Sequence, residues 1–274
     1  MTLVIALKWF MGDGEAILMA SDSRVSIEYL TYETRKIYPV ILIDEKGEQV
    51  PLAVMGGAGD SSLVKQSFRM CEKILRGYVK EEWGFRTPSF DEFEESVGDI
   101  ESALISRFRS LRSMGIDPSF SMVLGSVDPS GKASLYLFDS RVLAEPVHDN
   151  PGFAVIGRGF FTGGNLLLKL LDYRPEASTE MNLGVLTAFI IDLVSEVDAS
   201  VGSFVGESWL MRVSEGKVLL GPLREEAYKK FKEKVRVRRE LFKDIWRACD
   251  KLGEDRVYKA VKKLLTDGNK KKNS

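Results

Sequence analysis

Thr2 is the residue of this 274-residue sequence that carries the most chemistry. If an aminopeptidase removes Met1, which a small second residue generally permits, Thr2 presents a hydroxyl and a free α-amine on one residue. The amine, with a reference pKa of roughly 7.7 to 8.0, can take the hydroxyl proton near neutral pH. One residue then supplies both nucleophile and base. Met-Thr is also a common start, so Thr2 needs supporting groups. Asp22 and Arg24 end one strand run, Lys36 starts another, Gly56-Gly57 follows a further one, and Asp198 lies in a turn. Taken singly, Asp22, Arg24 and Lys36 read equally as an ordinary ion-pair network at strand ends, and Gly56-Gly57 as a tight turn.

Other chemistries find little support. With the single histidine His148, in a loop by composition, mechanisms needing a His pair or a two-His zinc site are excluded. Cys71 and Cys249 lie far apart, giving neither a disulfide framework nor a CxxC pair. Gly56 to Ser61 lacks the Gly-Lys-Ser/Thr of a phosphate loop, and Gly157-Arg158-Gly159 lacks the third glycine and the βαβ unit of a dinucleotide site. No cofactor or metal is expected.

The elements that must position Thr2 are strands in blocks and helices in pairs. Leu3 to Phe10 and Glu15 to Ser21 predict a hairpin around Met11-Gly12-Asp13-Gly14, and Lys36 to Asp44 with Gln49 to Met55 predict a second. Ser23 to Thr34 reads as a ribbon or a structured loop. Gly56 to Ser61 is expected to open a helix reaching about Trp83, and Ser89 to cap one from Phe90 to about Met114. Strands follow at Ser121 to Val127, Ala133 to Phe138, Arg141 to Pro146 and Phe153 to Ile156. Helices are predicted over Phe160 to Tyr173 and Met181 to Val197, then strands at Ser203 to Val205, Ser208 to Val213 and Lys217 to Leu219. This order argues for an α+β fold, two antiparallel sheets face to face with helix pairs outside, a four-layer αββα sandwich. Pro222 to Asn269 is helical in character, so the expected division is a domain over 1–220 and a basic helical extension over 221–274.

In this order and attached to Thr2, the motifs resemble the proteasome β-subunit family of N-terminal nucleophile hydrolases over roughly residues 2 to 220. The stretches that carry the likeness are Thr2-Leu3-Val4, Ala20-Ser21-Asp22-Ser23-Arg24, Arg35-Lys36-Ile37, Met55-Gly56-Gly57-Ala58-Gly59-Asp60, Gly157-Arg158-Gly159 and Asp198-Ala199-Ser200-Val201-Gly202. The resemblance implies Thr2 as nucleophile, Lys36 as the cation that lowers its pKa, and Asp22 as the carboxylate holding Lys36. It also implies the Gly56 N–H as oxyanion donor, near a helix N-terminus, and Asp198 as a supporting carboxylate. An ammonium beside Thr2 disfavours added positive charge, which keeps the amine neutral enough to act as base. Arg158 and Val201 stand where many active members of the family have serine.

The near-zero net charge hides an asymmetry: from Gly221 onward there are 18 Lys and Arg against 9 Asp and Glu, and before it 21 against 31. The basic tail has no aromatic-interleaved patch, so a nucleic-acid partner is not expected. The longest apolar run, Leu183 to Val194, is too short to span a membrane, and no secretory leader is recognisable, so a cytoplasmic protein without a membrane partner is expected. The resemblance implies a threonine-type hydrolase of peptide or protein amide bonds and leaves a homo-oligomer or ring open. Two alternatives stand beside hydrolysis: an amide ligase or transpeptidase, as in the proteasome-related connectases of archaea, and a catalytically silent structural subunit.

Overall fold

The computed structural model describes residues 2–12, 14–22, 24–27, 30–33, 35–203 and 205–272. β1 (Val4–Met11) and β2 (Gly14–Asp22) form the N-terminal hairpin, with Val4 opposite Ser21 and Met11 opposite Gly14. β3 (Arg24–Ile27) and β4 (Leu30–Glu33) pair as a two-stranded ribbon, the first of the two readings that their alternation allowed. β5 (Ile37–Ile43) pairs with β6 (Gln49–Gly59), and the register steps between Val40 and Ile41, where Pro51 of β6 faces Ile41. Pro51 has no N–H to give, and it falls in the part of β6 that pairs with β5 before pairing with the next strand begins at Val54.

α1 (Ser61–Tyr78) follows and passes into one π-helical turn, Val79–Trp83. α2 (Phe90–Ser113) starts at a capping box: Ser89 accepts from the Glu92 N–H while the Glu92 carboxylate accepts from the Ser89 N–H at 2.8 Å. Then come β7 (Phe120–Val127), β8 (Ala133–Phe138), β9 (Ala144–Pro146) and β10 (Phe153–Ile156). α3 (Gly164–Leu170), α4 (Leu183–Val197), β11 (Val205–Ser214), β12 (Lys217–Pro222), α5 (Glu225–Leu252) and α6 (Glu254–Lys272) complete the chain.

The strands form two five-stranded antiparallel sheets, ordered β10-β1-β2-β11-β12 and β5-β6-β7-β8-β9. Their inner faces meet through Val4, Ala6, Ile17 and Met19 on one side and Val54, Val123 and Leu135 on the other. Phe68, Cys71 and Leu75 of α1, with Phe93, Ile100, Leu104 and Phe108 of α2, cover the outer face of the second sheet at Leu52, Met55, Met122 and Leu124. α4, buried at every position from Leu183 to Ile191, packs against β1, β2 and β11 on the first sheet. This is the α+β sandwich expected. Burial pushes the Cys71 thiol up to about 12, so it is packing and not a nucleophile.

Three expectations are corrected. β6 runs on through Gly59, because Gly56 and Gly57 are opposite Val123 and Met122 of β7, so they belong to the strand and α1 begins only at Ser61. The helix expected over Phe160 to Tyr173 shrinks to a 3-10 turn, Arg158–Phe160, and the two-turn α3, since Gly163 at φ +138° breaks the run. Val205 and Ser208 to Val213 lie on one strand, β11, bent by a bulge between Val205 and Glu207.

The chain divides into two compact units, one through Tyr228 and one from Lys229. Within the second, Gly253 at φ +82° ends α5, its N–H closing on the Cys249 carbonyl. Leu241, Phe242, Trp246, Leu252, Leu264 and Leu265 on these helices are exposed.

Phe108, 1% exposed and set edge-on to Phe120 at 4.9 Å, is one of the side chains that join α2 to the second sheet. Phe108→Ala should lower unfolding free energy by about 3–5 kcal/mol in urea titration. Phe161→Ala, at a side chain 84% exposed, should stay within about 0.5 kcal/mol of the parent.

Candidate active site

The end of β2 delivers Asp22 to the point where the first strand begins. Its carboxylate is fully buried and gathers donors from three directions. Oδ1 accepts from Lys36 Nζ at 2.7 Å, from the Leu3 N–H at 2.8 Å and from Thr2 Oγ1 at 3.3 Å. Oδ2 accepts from the Gly202 N–H at 2.8 Å. Lys36, in the residue before β5, is itself only 4% exposed, so its ammonium and the Asp22 carboxylate neutralise each other in the interior. Thr2, Asp22 and Lys36 thus meet, and the Thr2 hydroxyl is attached to the buried ion pair. The Leu3 and Gly202 donors were not foreseen. Gly202 ends the turn singled out for Asp198, and that was the one available signal.

The Gly157-Arg158-Gly159 turn closes over Thr2. The Gly159 N–H donates to the Thr2 carbonyl at 3.3 Å, and a Cβ on Gly157, at φ +87°, would stand 2.2 Å from that same oxygen. A Cβ on Gly159 would meet the Leu3 side chain at 2.8 Å. A side chain is excluded at Gly157 by the Thr2 backbone and at Gly159 by the Leu3 side chain.

Asp198 is 7% exposed and stands one step away from Thr2. Its Oδ1 accepts from the Ser200 N–H at 2.9 Å and from the Ser200 hydroxyl, while Oδ2 lies 3.3 Å from Thr162 Oγ1 and 3.8 Å from Arg158 Nε. Burial works to raise its pKa, but the Ser200 hydroxyl and N–H, the Thr162 hydroxyl and the Arg158 charge together hold it below the ordinary carboxylate value. Asp198 is therefore joined to Thr2 through the glycine turn and, by way of Gly202, to Asp22. Val201, between them, is a buried apolar side chain at 1% exposure.

Thr2 and Lys36 open onto a cavity of about 360 Å³ that also takes in Arg35, Tyr38, Ala58 and one face of α1. Gly57 and Gly59 line it, whereas Gly56 does not: a Cβ on Gly56 would point at Val4 and Met19 in the layer between the sheets. The Gly57 N–H is taken by the Lys36 carbonyl at 3.0 Å. The N-terminus of α1 is closed by Asp60, which accepts from the Ser62 and Leu63 N–H groups at 2.8 and 3.2 Å. The helix end expected beside Gly56 is thus already capped. Arg24 lies in β3 by its backbone, and its side chain is outside the described residues, as is Met1. His148 sits apart, its Nδ1 beside the Leu135 backbone and its ring edge-on to Phe90 and Tyr136. Among the described residues no group of His, Cys, Asp and Glu could hold a metal ion, and no helix is long and apolar enough to cross a membrane.

Two antiparallel sheets between helix layers, with a threonine just before the first strand, make a proteasome-like fold. The solved structure of the Anbu (Gly-1) mutant from Hyphomicrobium sp. strain MC1 is similar at a TM-score of 0.61 and 14% identity, covering 90% of this chain and 96% of that one. At that identity the likeness shows the fold alone. Its 90% share, about 247 residues, exceeds the 228 of the first unit, so the matched length runs on into the second. No protein-family model and no curated protein matches the chain.

Asp22→Ala removes the acceptor of Lys36 and of two backbone N–H groups, and should cost about 3–5 kcal/mol of stability. An unchanged urea midpoint would show that the ion pair is dispensable to the fold. Asp198, held below its ordinary 3.8, contributes stability that is whole above that value and is lost as pH falls through the lower folded value. Asp198→Asn should therefore flatten the acid side of the stability profile below about pH 4, read as urea midpoints against pH.

Proposed function

We propose that this protein is a threonine-type N-terminal nucleophile hydrolase of peptide or amide bonds, active once Met1 is removed. The observation that carries the reading is Thr2 Oγ1 sharing the Asp22 carboxylate oxygen with Lys36 Nζ, at the mouth of a cavity large enough for a substrate side chain. In this reading the Thr2 hydroxyl attacks the substrate carbonyl and its proton passes to the Thr2 α-amine. The collapsing tetrahedral intermediate returns that proton to the leaving amine, and water then hydrolyses the ester on Thr2. The Lys36 ammonium keeps the amine from accumulating as its charged form, and Asp22 keeps Lys36 in place. The oxyanion takes a backbone N–H from the Gly56-Gly57-Ala58 run. The Gly57 N–H is already given to the Lys36 carbonyl, and of the other two residues only Ala58 lines the cavity, so its N–H is the candidate. Asp198 acts at one remove, orienting the turn that packs on Thr2.

The first measurement is the intact mass before and after an epoxyketone or β-lactone. Loss of Met1 and one adduct on Thr2 is the expected outcome. Thr2→Ala should lose at least about 10³-fold in turnover, and full turnover by that variant would sink the mechanism. Lys36→Ala should lose activity and also cost stability, because the buried Asp22 carboxylate loses its cation and keeps only hydrogen-bond donors, the Leu3 and Gly202 N–H groups among them. Its turnover is therefore compared at equal folded fraction.

A further inference from the structure

The cavity beside Thr2 is lined by charges of one sign. α1 gives it Ser61, Val64, Lys65, Phe68 and Arg69, positions spaced as one face of a helix. Val64 and Phe68 are buried and form an apolar wall, on which Tyr38 stacks with its ring 5.8 Å from that of Phe68. Lys65 and Arg69 stand exposed one turn apart on the same face, and Arg35 enters from the residue before Lys36. Like charges at i and i+4 repel. Among the described residues no ion pair forms with Arg35, Lys65 or Arg69, and no Asp or Glu lines the cavity. Glu72, further along α1, is already taken: Arg76 holds it through Nε at 2.9 Å and Nη2 at 2.7 Å, and the Tyr38 hydroxyl donates to it at 2.8 Å. Lys36, the fourth cation of the lining, is bound to Asp22.

We propose that this cavity receives the side chain of the substrate residue whose carbonyl Thr2 attacks, and that it selects an acidic one, glutamate or aspartate. The proposal rests on Thr2 as the nucleophile. An acidic side chain lays its methylene carbons on Val64 and Phe68 and brings its carboxylate to Arg35, Lys65 and Arg69, which gain charge-assisted bonds and lose their mutual repulsion. A basic side chain there meets three cations.

The test uses peptide aminocoumarin substrates that differ only in the residue before the leaving group, which is Glu, Asp, Leu or Lys. The parent protein should favour Glu or Asp over Leu by about tenfold in kcat/KM, with Lys lowest. The advantage should shrink as salt rises from about 0.05 M to about 0.5 M. The double variant Lys65→Glu/Arg69→Glu should reverse the order, so that Lys exceeds Glu. Each comparison is a ratio on one protein sample, so it does not depend on the fraction folded. Equal turnover of Leu and Glu by the parent, or an unchanged order in the double variant, overturns the selectivity and leaves Thr2 as nucleophile standing. If none of the four is cleaved, the hydrolase reading fails, and the cavity is judged separately. Anisotropy of the same peptides, fluorescein-labelled, on Thr2→Ala protein should then show tighter binding of Glu than of Leu, and equal affinities overturn the proposal.

Discussion

The structure depends on one buried carboxylate. An ionised Asp in the interior is costly unless its charge and its lone pairs are met. Asp22 is met by an ammonium and by backbone N–H groups drawn from distant parts of the chain. Lys36 leads into the second sheet, Leu3 into the first, and Gly202 belongs to the turn after α4. One side chain at a strand end therefore ties the two sheets and a helix connection to the same point, and Thr2 stands at that point because Leu3 does. The proposed chemistry and the stability of the sandwich draw on the same ion pair.

Around that pair the backbone is pressed together. Gly157 and Gly159 leave no room for a side chain between their turn and the first residues of the chain, and Gly57 would strike Val64 and Phe68 of α1 with any Cβ. Arg158, between the first two of these glycines, stands 56% exposed and reaches Asp198 at 3.8 Å. A charge that looks intrusive in the sequence is thus directed in part to a carboxylate whose other oxygen is held by Ser200. The low pKa of Asp198 follows from that company and not from exposure.

The cavity shows how a helix serves two ends at once. Val64 and Phe68 belong to the core cluster of the second sheet, while Lys65 and Arg69, one position further on, face the opening. The core fixes the rotation of α1, and the rotation fixes which charges stand beside Thr2. In the second unit, α5 and α6 carry a basic, amphipathic pattern, with exposed Leu241, Trp246 and Leu265 among its apolar side chains.

Much of the layer order was legible in the sequence because it rests on local signals. Turn residues mark the β1–β2 and β5–β6 hairpins, Ser89 and Glu92 announce the start of α2, and the apolar circumference of Leu183 to Val197 announces a helix pressed onto a sheet. The Asp22, Lys36 and Thr2 trio was legible only as residue types in an order, since nothing local says that positions 2, 22 and 36 meet. Where local signals misled, a tertiary contact had overruled them. Gly56-Gly57 reads as a turn, yet two neighbouring strands capture it into β6, and Phe160 to Tyr173 reads as one helix although Gly163 divides it. The donors from Leu3 and Gly202, and the three cations around the cavity, had no signature at all. Backbone N–H groups are the same in every sequence, and surface lysines and arginines are common on helices. By itself the sequence determined the strands, the helices and the residue types a threonine mechanism needs, because those follow from spacing along the chain. Only the tertiary structure decided which of them share one buried charge and what lines the cavity beside it, because burial and proximity are properties of packing between segments far apart in the chain.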